Sequence, residues 1–179
     1  MSDTADSHDP LTDLSTWTIE RLQALVAVAG DRQLEAVRVV AQGHVYDFGE
    51  PSDLRRRWAK LSLWANGRMS GEGSAGRQRK AQNNFMLRTW VIDKLGPIAE
   101  DSDWSPEALA THTLFELSLT PHQARALGER WTELPIDQIR ELRRHKNLTA
   151  HIERLAAHLQ PSALRDQLLE WAQTRRYLP

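Results

Sequence analysis

Apolar residues recur at helical spacing along almost the whole chain, and this periodicity restricts the fold more than any other feature. Ile19, Leu22, Leu25, Val26 and Ala29 form one stripe closed by Gly30; Leu34, Val37 and Ala41 form a second closed by Gly43. Leu54, Trp58, Leu61 and Ala65 repeat the pattern after Pro51-Ser52, with Asn66-Gly67 as its stop. Positions three and four apart share a helix face, so each stripe predicts an amphipathic helix. Leu148, Ile152, Leu155, Ala156 and Leu159 keep the same period, as do Leu164, Leu168 and Trp171.

Punctuation agrees with the period. Ser105-Pro106 and Thr120-Pro121 each put a capping residue before a proline suited to a first helical turn, and Pro135 and Pro161 mark two more starts. A long helix is expected from Ser74 or Arg77 to Leu95, closed by Gly96-Pro97. The one strand-like piece, residues 44–49, is too brief to found a sheet and reads as a structured loop. The expectation is an all-α protein, a compact helical bundle of about eight helices with short connections. A disordered acidic tail is expected over residues 1–14, a helical region with a basic helix-loop-helix over 15–100, and a C-terminal helical bundle over 101–179.

With 179 residues, 40% of them hydrophobic, the chain can bury a core without disulfides or metal. It has no cysteine, which excludes disulfides, thiol catalysis and cysteine-ligated zinc. The acidic start lacks the basic and then apolar pattern of a signal peptide, and no apolar run reaches membrane-spanning length, so a soluble cytoplasmic protein with no membrane partner is expected. Seven tryptophans read chiefly as core fillers.

The charge is unevenly placed. Residues 55–94 hold ten lysines and arginines against Glu72 and Asp93, a net of +8 in a chain whose total is −1. Such a segment predicts a face that meets an anion, most simply a nucleic-acid backbone. Arg77, Arg79 and Lys80 fall in the first turns of the long helix, where the macrodipole favours acids and a cation costs a few tenths of a kcal/mol to about 1. Free backbone N–H groups beside arginine and lysine make a phosphate site, which explains the breach.

The candidate phosphate contacts are Arg55, Arg56, Arg57, Lys60, Arg68, Arg77, Arg79, Lys80 and Arg88. Gln82, Asn83 and Asn84 are candidates for sugar or base contacts, and Trp64, which shares a face with Arg57 and Lys60, for base stacking. A second cluster, Arg140, Arg143, Arg144, His145 and Lys146, reads as cations at the C-terminal end of a helix over residues 136–142, where the dipole alone accounts for them.

Other chemistries find little footing. Residues 71–78 resemble a degenerate phosphate-binding loop, but Arg77 replaces its lysine, Gln78 its hydroxyl, and a helix precedes it where a strand belongs. Residues 121–145 imitate a helix-turn-helix without its turn glycine, and Glu133, Asp137 and Glu141 would oppose phosphate. The histidines lack metal-ligand spacing, and no catalytic residue or cofactor is expected. A non-enzymatic DNA- or RNA-binding protein follows, an auxiliary subunit of a nucleoprotein assembly with other protein subunits. The competing reading is an adaptor or inhibitor whose basic face docks on an acidic protein.

Overall fold

Eight α-helices and no strand make up the described residues of the computed structural model, 14–70, 73–98, 102–117 and 119–179. The chain divides into two compact units, one up to Ser74 and one from Ala75 onward. The acidic tail expected over residues 1–14 lies outside the described residues except for Leu14, which is buried and opens a 3-10 turn.

The first unit holds α1 (Ile19–Val26), α2 (Asp31–Tyr46) and α3 (Ser52–Arg68). Thr18 caps α1, its Oγ1 accepting the Arg21 N–H at 3.4 Å. Gly30 starts α2 in extended backbone, its N–H donated to Gln33 Oε1 at 3.4 Å. One expected stop is overrun: α2 passes Gly43 by a turn, whereas α3 ends at Arg68, beside the expected Asn66-Gly67 stop. The strand-like residues His44, Val45 and Tyr46 are therefore the last turn of α2, and only 47–50 form the loop. A mid-helix glycine costs about 1 kcal/mol, which the packing of Val37, Ala41 and Val45 against α3 outweighs. His44 stacks on Trp58 with ring centroids 4.2 Å apart, and Glu50 Oε1 lies 2.5 Å from its Nδ1.

The second unit holds most of α4 (Gly73–Leu95), then α5 (Pro106–Glu116), α6 (Pro121–Gly128), α7 (Ile136–Ala157) and α8 (Ala163–Gln173). Gly73 at φ 61° precedes the first turns of α4 and Gly96 at φ 82° follows its last, the left-handed conformation that favours glycine at a helix end. Ser105, Thr120 and Ser162 cap α5, α6 and α8, each accepting the backbone N–H three residues on, at 3.1–3.2 Å. Phe85 and Ile92 of α4, Leu109 of α5, Leu142 and Ile152 of α7, and Leu168 and Trp171 of α8 share one core.

One expected boundary is absent, with consequences for the site. The helix beginning at Ile136 does not end near residue 142; α7 runs 22 residues to Ala157. The cluster Arg140–Lys146 therefore sits mid-helix, and a dipole that acts only on the last turn cannot account for it. His145 occupies a core position, fully buried and stacked on Trp171 with centroids 5.3 Å apart.

Burial pushes the His145 pKa below its ordinary 6.5, against the pull of Glu141, whose Oε1 lies 3.2 Å from Nε2. Burial lowers that of His151 as well. Between the depressed folded values and 6.5 the unfolded chain binds more protons, so stability is complete above about pH 6.5 and declines as pH falls through the folded pKa values. Urea titrations at pH 7.5, 6 and 5 are expected to show midpoints falling in that order. In His145→Gln the decline should be shallower; an unchanged slope would assign the effect elsewhere.

Candidate functional site

The expected basic segment separates into two sets, each within its own unit. On α3 of the first unit, Arg57, Lys60, Trp64 and Arg68 are all exposed, and their spacing places them on one helix face. Trp64 keeps 43% of its surface accessible, an aromatic among cations. Some of this charge is already matched: Arg57 Nη2 meets Glu20 Oε1 at 2.7 Å, and Arg56 Nη1 meets Asp53 Oδ1 at 3.1 Å. A backbone hydrogen bond at the start of α1, helped by Arg57, holds the Glu20 carboxyl below its usual value.

Arg55 departs from the expectation of a surface cation. It is 5% exposed, donates Nε–H to the Val45 carbonyl at 2.8 Å, and lies over the Phe48 ring at 4.8 Å. That carbonyl belongs to the last turn of α2, where backbone acceptors lack intrahelical donors, so Arg55 caps a helix end. It is not placed to reach a phosphate.

On α4 of the second unit, Arg77 and Arg79 are exposed and Lys80 is partly so, with no acidic residue in the first turn. Among the described residues no carboxylate pairs with Arg77 or Arg79. Residues 85–95 of the same helix contribute buried Phe85, Leu87, Val91 and Ile92, which anchor it. Gln82, Asn83 and Asn84 are half-buried, and Gln82 Nε2 lies 3.7 Å from Met86 Sδ.

Beside these residues, α4, α5 and α7 border a half-open cavity of about 220 Å³. From α4 it is lined by Gln78, Gln82, Asn84, Phe85 and Arg88, from α5 by Leu109, His112 and Thr113, and from α7 by Arg144 and Leu148. Among the described residues no carboxylate lines it. Arg88 is steadied by the Asp103 carbonyl, which accepts from Nη1 at 3.2 Å, and by the Trp104 ring at 5.5 Å. Arg144 Nη2 meets Glu141 Oε1 at 2.8 Å. The Nε of each arginine is buried without a hydrogen-bond partner.

The cavity thus joins expected site residues (Gln82, Asn84 and Arg88) to three that sequence reasoning did not assign: His112, Thr113 and Arg144. The useful signal was the mid-helix position of Arg144, hidden because polar residues 143–147 imitate a break between two helices. Asn83 and the remaining α4 cations are not among the lining residues.

Among the described residues no group of histidines and carboxylates could hold a metal, and no helix is long and apolar enough to cross a membrane. In comparison with known proteins the chain matches no family model, no curated protein and no solved structure, so the chemistry of these surfaces carries the functional reading.

Proposed function

We propose that this chain is a non-enzymatic nucleic-acid-binding protein, working as an auxiliary subunit among other proteins, with the first turns of α4 as its principal phosphate contact. One observation carries the reading: Arg77 and Arg79 stand exposed near the start of α4, and no carboxylate among the described residues pairs with either. A phosphate chain there is favoured by these cations. Arg57, Lys60, Arg68 and Trp64 on α3 offer a second surface of the same chemistry, cations for phosphate and a ring for a base. Arg55 is excluded by its burial.

The test is fluorescence anisotropy with single- and double-stranded DNA and RNA at 50 and 200 mM salt. The affinity should fall steeply with salt, because bound phosphates release counterions. Replacing Arg77, Arg79 and Lys80 together by alanine should weaken binding at least about tenfold and reduce the salt slope by about 1 for each phosphate no longer neutralised. No binding to any nucleic acid at 50 mM salt would overturn the reading in favour of an acidic protein partner. Binding unaltered by the triple substitution would move the interface away from α4.

A further inference from the structure

We propose that the cavity between α4, α5 and α7 is a site for a terminal phosphomonoester. The proposal rests on the nucleic-acid reading for one source of that group, the end of a strand; a free mononucleotide is the other. Arg88 and Arg144, on two different helices, both line this space, and no carboxylate among the described residues does. Each has a buried Nε–H that finds no partner among the described residues, a donor whose desolvation a ligand acceptor would offset. One acidic contact is present nearby: Arg144 shares charge with Glu141, which leaves most of its donor fork uncommitted. His112, at the exposed edge of the cavity, adds a ring nitrogen.

Two guanidiniums match a dianion better than the single charge of a phosphodiester. Exposed α4 cations can follow a chain as it passes, whereas a half-open recess between three helices accommodates the end of one. Phe85, Leu109 and Leu148 give it an apolar wall against which the sugar or base of the ester can lie. Arg79 and Arg88 are nine residues apart on one helix, about 13 Å along its axis. A strand whose end sits in the cavity therefore has neighbouring phosphates within reach of the first turns of α4.

Short single strands with a 5′-phosphate, a 3′-phosphate or neither, and a nucleoside monophosphate as a free ligand, test this on the intact chain. One phosphorylated end is expected to bind about tenfold or more tightly than the unphosphorylated strand, the scale of charge-assisted bonds to a buried anion. The nucleoside monophosphate should bind in calorimetry and abolish that preference by competition. His112→Gln should erase the preference while leaving affinity for the unphosphorylated strand unchanged, and Arg88→Gln, independently, should erase the preference as well. His112 is exposed, so its substitution decides the matter if Arg88→Gln fails to fold. Equal affinity for all three strands with no mononucleotide binding overturns the cavity site and leaves the backbone reading standing. Mononucleotide binding that Arg88→Gln or His112→Gln removes, with no strand bound, upholds the cavity and overturns the backbone reading. A preference that survives both substitutions overturns the assignment to this cavity.

Discussion

Trp171→Ala is expected to destabilise the second unit by about 3–5 kcal/mol, the range for removing a buried aromatic. Trp171 is 4% exposed and shares the core with Leu142, Ile152, Leu155 and Leu168. Its ring also covers His145, the two planes within 7° of parallel. Truncation leaves a cavity and lets water approach a histidine that is buried with its pKa lowered. Against a domain stability of about 5–15 kcal/mol, this removes a large share of the total. Urea denaturation followed by circular dichroism measures it. Trp131→Ala is the matched control: that ring is 40% exposed, and its loss should stay within about 0.5 kcal/mol. Equal effects from the two tryptophans would contradict the packing described for α7 and α8.

Gly128→Ala should destabilise the same unit by about 1–3 kcal/mol or more, although helix propensity alone predicts a gain. Gly128 is the last residue of α6, with a backbone any residue could adopt. The obstacle is space. A Cβ there would lie 2.3 Å from the Tyr177 carbonyl oxygen and 2.9 Å from its carbon. Backbone cannot swing aside as a side chain can, so α6 and the 3-10 turn at Thr174–Tyr177 must separate. Gly43→Ala is the opposite case. A Cβ at that helical position meets nothing within 4 Å, and alanine is expected to stabilise α2 by about 0.5–1 kcal/mol. Thermal unfolding of both variants should show shifts of opposite sign.

Much of the helical layout was legible because helix signals are local. Ser105 and Thr120, read as caps, each satisfy an N–H three residues on, and the stripes from Ile19 to Trp171 need only a period of 3.6. Legibility failed where a core position was polar. His145 and Thr149 fill the interior face of α7, so the apolar stripe lapses between Leu142 and Leu148 and one helix reads as two. Glycine misled in the other direction: Gly43 looks like a stop but lies inside a helix supported by its neighbours.

The charged segment shows the same limit. Arg55 and Arg57 are two residues apart and alike in composition, yet one caps the end of α2 from a buried position while the other pairs with Glu20 at the surface. Their difference is about 160–200° of helix phase relative to a partner helix. Tryptophan divides likewise: Trp58, Trp104 and Trp171 are buried, whereas Trp64 and Trp131 are exposed.

By itself the sequence determined an all-α chain, the starts of its helices, and a concentration of cations at the beginning of α4, because each depends on residues within a few positions of one another. Tertiary structure alone decided which cations are buried, why Gly128 must lack a side chain, and that Arg88, His112 and Arg144 border one cavity. The last two juxtapose residues 24 to 56 positions apart, and no local hydrogen bond or period records them.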